Sequence, residues 1–443
     1  MNLLYSSQDV LPVTVFETVQ SLNRSVFRTQ LSNGIVLLVT PNPAADIVSV
    51  RMFLRGGQRS EPLGQEGVSY LVASLLTKGT TTRSSLDIAS LAESMGASLG
   101  TDSASDHFQI TTKSVSSDFP TMLQLAGDVM RSPSFPDSEI SLERKQTLQA
   151  IKSQQEQPFG VAMGHLRSAF YGRHPYADSG LGTVESVSAL TQSNLIAYHT
   201  ANFRPDNLII SIAGRITPED AIAQVLTVFG DWSLPSEPWS SPILPIVSDH
   251  PQRILTPQAT AQSIVMVGHL APPIHPEDPT NTDYAALKLI NTYLGSGLSS
   301  RLFVELREKR GLAYEVSAFY PMRLDTSHFV AYMGTAPENT QTALDGLNSE
   351  LDRLTHTPLS AEELQVSKDK LLGQYALSKQ TNAQLAQALG WYEMLGLGLS
   401  YDRSLQEDVR NLSADNLQDI ANRTFKQPYI SVLGPEAVLA SLK

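Results

Sequence analysis

The stretch SFPDSEISLERKQTL, residues 134–148, returns in altered form half a chain later as PLSAEELQVSKDKLL, residues 358–372. Both stretches begin with turn-forming residues, continue with acidic residues typical of the first turn of a helix, and then place apolar residues at helical spacing. Similarity at an offset of half the chain predicts an internal duplication. We therefore expect two copies of one structural unit in tandem.

The order of predicted elements also recurs between the two halves. Apolar alternation, an Asn-Gly turn at 33–34 and helical periodicity define these elements. They lie at 26–43, 46–57, 67–78, 85–95, 106–115, 118–131 and 137–155 in the first half, and at 263–271, 283–294, 299–309, 312–320, 328–336, 338–354 and 360–378 in the second. The pattern predicts an α+β fold of two tandem homologous domains, each a mostly antiparallel sheet with helices layered on one face. Pattern alone leaves two unrelated α+β domains as the alternative.

The predicted domain boundaries follow from one proline- and serine-rich stretch, DWSLPSEPWSSPILPIVSDHP at 231–251. Such a composition is typical of a linker. We therefore predict an N-terminal extension at 1–24, a first domain at 25–230, a linker at 231–252 and a second domain at 253–443.

The composition excludes several classes of function. The net charge of −12 disfavours nucleic acid as a partner, since phosphate binding uses clustered Lys and Arg. The absence of cysteine excludes disulfides, thiolate metal sites and a cysteine nucleophile, and it fits a reducing compartment. No stretch approaches the roughly 20 consecutive apolar residues of a membrane helix. The N-terminus lacks the features of a signal peptide. We therefore expect a soluble, cytoplasmic protein with no membrane partner.

The stretch GVSYLVASLLTKGT, residues 67–80, predicts a helix with a wide apolar stripe that ends in a Lys-Gly-Thr turn. With Gly67 and the turn as fixed ends, it resembles a segment of the pitrilysin and insulinase family of zinc peptidases, in particular the processing-peptidase-like branch. In that family an H-x-x-E-H motif occupies the helix, where two His side chains four residues apart bind zinc and the Glu acts as general base. The resemblance places this motif on Tyr70, Leu71, Val72, Ala73 and Ser74.

The resemblance implies that this chain has lost its zinc site. The distal glutamate ligand of the family corresponds to Gln149 or Ala150, and neither is acidic. Tyr70, Ala73 and Ser74 are poor or impossible zinc ligands at neutral pH. None of the nine histidines lies three or four residues from another, so none rebuilds a local motif. The likeness extends over residues 25–435, so the family resemblance does not depend on this helix alone.

The stretch GSGLSSRLFVELREKRGLAYEVSAFY, residues 295–320, resembles the family segment in which an Arg and a Tyr seven residues later bind substrate. The matching residues are Arg307 and Tyr314. A guanidinium and a phenol hydroxyl can both donate hydrogen bonds to peptide carbonyl oxygens. The residue pattern alone favours another interpretation, in which Arg307 belongs to a charged helix surface and Tyr314 to the core face of a strand. The family spacing favours the substrate-binding role.

The resemblance implies one half of a clamshell-shaped peptidase whose work is divided between two chains. Our first hypothesis is a noncatalytic, substrate-binding subunit of a heterodimeric zinc endopeptidase that cleaves unfolded peptides. Zinc is then expected in an H-x-x-E-H-containing homologous partner, no cofactor in this chain, and no zinc-peptidase activity from this chain alone. The alternative is a structural or peptide-binding homologue without enzymatic role, similar to respiratory-complex core proteins. A hydrolase with other catalytic residues has little support, because the sequence has no Gly-x-Ser-x-Gly motif.

Overall fold

A computed structural model describes residues 13–21, 24–247, 249–278 and 282–442, which form two compact units. Unit 1 contains the described residues of Met1–Thr147, Val184–Pro242 and Lys379–Asp402. Unit 2 contains those of Leu148–Thr183, Ile243–Ser378 and Arg403–Lys443. Each unit is therefore assembled from separate parts of the sequence.

Unit 1 is built around a mixed sheet of seven strands. The strands are β1 Val13–Ser21, β2 Arg24–Leu31, β3 Val36–Pro41, β4 Ile47–Arg55, β5 Ser98–Ser103, β6 His107–Val115 and β7 Leu208–Gly214. Their order is β1-β2-β3-β7-β4-β6-β5, and only the β3–β7 pair is parallel. The predicted Asn-Gly turn joins β2 to β3, where Gly34 adopts a φ of 91° that favours glycine. The hairpin prediction is thus confirmed.

Unit 2 repeats the central part of this sheet. Its strands are β8 Arg253–Pro257, β9 Ser263–Ala271, β10 Glu315–Phe319, β11 Ser327–Thr335 and β12 Tyr429–Gly434. Their order is β10-β11-β9-β12-β8, with only β8 and β12 parallel. This order and these directions match β5-β6-β4-β7-β3 of unit 1 strand for strand. The α+β fold of two homologous domains is confirmed, and β1 with β2 is an addition to unit 1.

The helices occupy equivalent places between the strands of the two units. They are α1 Val68–Leu75, α2 Ser85–Ser94, α3 Phe119–Arg131, α4 Asp137–Glu156, α5 Pro158–Tyr171, α6 Val184–Ala189, α7 Gln192–Asn202, α8 Pro218–Phe229, α9 Thr282–Gly295, α10 Thr340–His356, α11 Ala361–Leu377, α12 Asn382–Met394, α13 Tyr401–Asn411, α14 Ala414–Thr424 and α15 Glu436–Leu439. The segment Phe303–Lys309 is a π-helix. Ser360 caps α11 through a reciprocal pair of hydrogen bonds with Glu363, as the acidic start of that stretch predicted. None of the helices in the described ranges is long and apolar enough to cross a membrane.

Each unit receives one helix from the other half of the sequence. Helix α12 packs on β4 and β7 of unit 1, whereas α5 packs on β9 and β12 of unit 2. The two helices have equivalent places in their own halves, because α5 follows α4 and α12 follows α11. The duplicated halves have therefore exchanged equivalent helices.

The exchanged helix of unit 1 covers the sheet face opposite to the other helices. In β6, the Phe108 ring lies 5.8 Å from the ring of Tyr198 in α7, whereas the adjacent His107 ring lies 4.7 Å from Trp391 in α12. Neighbouring residues of a strand point to opposite faces. The predicted single layer of helices is therefore incomplete, since α12 forms a second layer.

Unit 2 has the same arrangement. In β9, His269 packs against Phe425, which directly follows α14, while the adjacent Gly268 faces Phe170 of α5. A Cβ atom on Gly268 would lie 2.5 Å from the Phe170 ring, so only glycine permits this approach. In unit 1 the corresponding close contact places Gly390 of α12 against Phe53 of β4.

The compact units do not coincide with contiguous sequence ranges such as 25–230 and 253–443, because of this exchange. Residues 13–21 of the predicted N-terminal extension form β1, at the edge of the unit 1 sheet, while residues 1–12 and 22–23 lie outside the described residues. In the predicted linker, residues 231–247 and 249–252 contain no helix or strand.

Candidate functional site

The carboxylate of Glu61, which is half-buried, binds the first backbone N–H groups of helix α1, because Gly67 at the N-cap has no side chain. One oxygen of Glu61 accepts a hydrogen bond from the Gly67 N–H at 3.1 Å. The other accepts from the Ser69 N–H at 3.0 Å and from its hydroxyl at 2.6 Å. Burial raises the pKa of Glu61 to about 7. The start of α1 therefore depends on a carboxylate that titrates near neutral pH, which the sequence pattern did not reveal.

Apolar packing and one hydrogen bond to β5 hold the body of α1 in place. Val68, Leu71 and Leu75 are completely buried, at the helical spacing that the sequence predicted. The Ala73 carbonyl accepts a hydrogen bond from Thr101 Oγ1 of β5 at 2.8 Å. The helix is thus fixed beside the edge strand of the sheet.

The residues at the predicted metal positions do not fit a zinc site. Tyr70 and Ser74 are half-buried on α1 and offer only neutral hydroxyls, while Ala73 offers a methyl group. On α4, Gln149 is exposed and Ala150 is half-buried. Within the ranges that the structure describes, no group of three or more His, Cys, Asp or Glu side chains could hold a metal ion. Zinc needs nitrogen, thiolate or carboxylate ligands, so no catalytic step is assigned to a metal in this chain.

A carboxylate on the part of α4 that belongs to unit 1 is already paired. Glu143 is buried, and its carboxylate lies 3.1 Å from Lys78 Nζ of the Lys-Gly-Thr turn. The ammonium compensates the buried negative charge and ties the end of the α1 segment to α4. This pair therefore has a structural function.

Arg307 lies in the π-helix Phe303–Lys309 and is exposed. Its guanidinium carbon lies 4.8 Å from the centre of the Phe303 ring, a cation–π contact that orients the side chain. Leu306 anchors the same helix in the core. Widened π-type turns occur frequently at functional sites.

Arg307 is separate from the ion pairs of its helix. Arg301 pairs with Glu305 at 3.1 Å and with Glu350 at 2.8 Å, and Lys309 pairs with Glu305 at 2.8 Å. Among the residues that the structure describes, the Arg307 guanidinium has no hydrogen bond or ion pair. Arg307 is therefore a solvated surface residue that lies outside the ion-pair network of its helix, and the alternative of a plain charged helix surface stays open.

Tyr314 is not part of the strand core. Its side chain is 67% exposed, whereas Leu312, Val316 and Ala318 are buried. The backbone N–H of Tyr314 donates to Gly334 O at 2.9 Å, although the strand register pairs Gly334 with Glu315. Tyr314 and Glu315 are thus both paired with Gly334. This irregularity interrupts the alternation of buried and exposed residues that predicted a core position for Tyr314. The hydroxyl forms no hydrogen bond within the described part of the chain.

Two further residues bear on the site. His174 is buried, and its Nδ1 accepts a hydrogen bond from the Tyr176 N–H at 3.2 Å at the start of a short 3₁₀ turn. His174 therefore has a structural role in this turn. Lys370 of α11 contacts the loop that leads to Arg307. Sequence reasoning missed Lys370, and no local pattern could have revealed a contact between such distant residues.

Two family models match successive parts of the chain. One, described as Insulinase (Peptidase family M16), matches residues 36–184, and the other, described as Peptidase M16 inactive domain, matches residues 189–371. The chain belongs to the insulinase (M16) peptidase family. Its predicted kinship with this family is thereby confirmed.

Relatives of this M16 chain match it over nearly its full length. An uncharacterized zinc protease of Mycobacterium leprae is 26% identical over 416 residues, which cover 93% of this chain and 92% of the relative. The uncharacterized zinc protease YmxG of Bacillus subtilis is 25% identical, with 94% and 99% covered. A crystal structure of a peptidase M16 inactive domain from Pseudomonas fluorescens superimposes with a TM-score of 0.85 at 25% identity, covering 93% of this chain and 98% of that one. A protease from Helicobacter pylori shares the fold, with a TM-score of 0.84 at 20% identity, covering 93% and 100%.

Proposed function

We propose that this chain is the noncatalytic, substrate-binding subunit of a heterodimeric zinc endopeptidase that cleaves unfolded peptides. A homologous partner with the H-x-x-E-H motif would hold the zinc, and Arg307 and Tyr314 would complete its active site. The proposal rests on one contrast above all. Unit 2 exposes two hydrogen-bond donors without protein acceptors among the described residues, while the motif positions of unit 1 carry no metal ligand.

The chemistry of the two side chains suits this role. Arg307 offers the planar donor group of a guanidinium, and Tyr314 offers a hydroxyl donor. Donors directed at a peptide carbonyl stabilise the negative charge that develops on its oxygen during hydrolysis. Because no described residue accepts a hydrogen bond from either side chain, both can donate to a peptide without breaking an existing hydrogen bond.

The peptide itself would be held by the partner. An extended peptide can add to a free sheet edge through backbone hydrogen bonds, which are available only to an unfolded segment. The substrate class is therefore unfolded peptides rather than folded proteins. We also propose a cytoplasmic location, which the cysteine-free sequence supports, and no nucleic-acid partner, which the net charge of −12 supports.

The test is cleavage of an unfolded peptide by the complex that contains this chain. Arg307→Ala should lower kcat/KM about 100-fold, because an oriented donor to the developing oxyanion is lost, whereas the zinc content should not change. Tyr314→Phe should lower kcat/KM about tenfold, since it removes one neutral hydrogen bond donor.

Arg310→Ala is the matched control. Arg310 is also exposed and directly follows the same helix, but its guanidinium lies against Gly346. Its loss removes the same charge from the same region and should leave kcat/KM unchanged. If Arg307→Ala behaves like Arg310→Ala, the subunit function is wrong, and the structural or peptide-binding homologue becomes the better account.

A further inference from the structure

The residues 296–300, called the 296–300 loop below, connect α9 to the helical segment that carries Arg307. The loop turns at Gly297, which adopts a φ of 73°. The Ser300 N–H donates to Gly297 O at 3.1 Å, and the Val304 N–H donates to Ser300 O at 3.0 Å. The loop therefore runs directly into the helix of Arg307, and its position determines where that helix starts.

Two side chains of α11 hold this loop. Lys370 Nζ donates to Ser296 O and to Ser299 Oγ, the latter at 3.0 Å. Gln374 Nε2 donates to Ser296 Oγ at 3.0 Å. Residues four apart lie on one face of a helix, so Lys370 and Gln374 act on the loop together.

A positively charged side chain at position 370 is favourable because its ammonium lies at the C-terminal end of α9. The last carbonyl groups of a helix lack intrahelical partners and carry partial negative charge. Ser296 directly follows α9, so Lys370 places its positive charge at the C-terminal end of that helix. Partial burial of the ammonium at this position lowers the pKa of Lys370.

The last residue of α9, directly before the loop, is bound to β10, the strand that follows Tyr314. Ser317 Oγ of β10 donates to Gly295 O at 2.9 Å. A Cβ atom on Gly295 would lie 2.2 Å from the backbone nitrogen of Ala318, so the end of α9 lies directly against β10. One short segment thus contacts the strand after Tyr314 and leads into the helix of Arg307.

We propose that Lys370 is a positioning residue for Arg307 and Tyr314. By holding the 296–300 loop, it fixes the start of the Arg307 helix relative to the strand that Tyr314 precedes. The inference rests on the proposed function, in which both side chains must meet one peptide at the same time. Two groups that must act together lose effectiveness when their separation fluctuates, because the correct geometry is then only a fraction of the population.

Lys368 provides a matched control on the same helix. Its ammonium donates to Arg410 O near the end of α13 at 2.8 Å, and its side chain is largely buried. Lys368 therefore has the same chemistry as Lys370, a lysine at the carbonyl end of a helix, but it binds a different helix. Substitution of either lysine removes an ammonium from the carbonyl end of a helix, but of the two only Lys370 touches the loop.

The experiment combines peptide cleavage by the zinc-bearing complex with hydrogen exchange of this chain. Lys370→Met should lower kcat/KM about tenfold and speed the exchange of the amides at 296–304, while Lys370→Arg should restore most of both. Lys368→Met should change neither quantity. Gln374→Met, which removes one loop contact and keeps the lysine, should produce a smaller change in the same direction.

Three results would overturn the inference. If Lys370→Met speeds loop exchange but leaves kcat/KM at the wild-type value while Arg307→Ala lowers it, Lys370 has a structural role only. If loop exchange is unchanged in both Lys370→Met and Gln374→Met, the two side chains do not hold the loop. If Arg307→Ala is itself without effect, the proposed function fails and the inference with it. The Arg307→Ala result therefore distinguishes the two failures.

Discussion

The two units share their strand order, their helix order and an exchanged helix, but they differ in the chemistry they expose. Helix α1 lies between β4 and β5 of unit 1, and α9 lies between β9 and β10 of unit 2. In unit 1 the predicted metal-binding positions on α1 carry Tyr70, Ala73 and Ser74, and in unit 2 the segment after α9 exposes Arg307 and Tyr314. The comparison shows that two units with the same fold expose different side chains.

The persistence of α1 has a simple physical reason. The helix buries Val68, Leu71 and Leu75, and each large apolar side chain contributes about 1.5–3 kcal/mol through its removal from water. The motif positions Tyr70 and Ser74 are only half-buried, so a change of side chain there disturbs the core little. The fold of unit 1 therefore depends little on which side chains occupy these two positions.

The exchanged helices offer the largest expected effect on stability. In Gly390→Ala the new Cβ would meet Phe53 at 2.4 Å and Ser211 at 3.0 Å, so α12 must shift on the unit 1 sheet. We expect the free energy of unfolding to fall by about 2–3 kcal/mol, as measured by denaturant unfolding. Gly268→Ala should have a comparable effect in unit 2, where the new Cβ meets Phe170.

Gly373→Ala is the control for helix propensity. Gly373 lies in α11 and is exposed, and a Cβ atom added there would have no other atom within 4 Å. This variant should raise the free energy of unfolding by about 0.5–1 kcal/mol, because alanine favours the helix. If Gly390→Ala stabilises the protein as Gly373→Ala does, α12 does not pack on the unit 1 sheet as described.

The helix caps of the two units predict opposite responses to pH. Burial raises the pKa of Glu61 in unit 1 from 4.5 to about 7, so the folded state favours its protonated form. Its stabilising contribution is complete below pH 4.5 and is lost as the pH rises through 7. Between pH 5 and 8 we expect the free energy of unfolding of the wild type to fall by roughly 2 kcal/mol relative to Glu61→Gln, after allowance for the solvent that reaches the side chain.

Glu363 of unit 2 is the matched carboxylate for this measurement. Burial raises its pKa, but hydrogen bonds from Ser360 and Tyr293 outweigh that effect, and the pKa is lowered overall. Its contribution is therefore present above the pKa of the unfolded chain and is lost as the pH falls through its folded value. Glu363→Gln should reduce stability at pH 7. A Glu61→Gln variant that loses stability on going from pH 5 to pH 8 as the wild type does would contradict the assignment to Glu61.

The sequence predicted helices α1–α4 and α9–α11 and central strands such as β4, β6, β9 and β11, because their apolar side chains recur at helical or strand spacing. It did not predict helices α5–α7 and α12–α14. It did not predict β5, since Ser98–Ser103 is largely polar and only partly buried. It also did not predict the exchange of α5 and α12. Which sheet a helix covers depends on contacts such as Gly390 with Phe53, which no local pattern encodes.

The sequence named the residues of the candidate site, but it did not predict how the fold exposes and supports them. The positions of Arg307 and Tyr314 came from a family resemblance, whereas alternation alone placed Tyr314 in the core. That placement is wrong because Tyr314 and Glu315 are both paired with Gly334, which interrupts the alternation of buried and exposed side chains along the strand. The support from Lys370 depends on side chains brought together by the fold, so it could be found only in the structure.

The central claim is that the work of one peptidase is divided between this chain and another. Native mass spectrometry with metal analysis, on the protein purified gently from its own cells, tests it most directly. The account predicts a zinc-bearing complex with a different chain of similar size that contains H-x-x-E-H. A metal-free homodimer, or a complex whose other members lack that motif, would contradict the account.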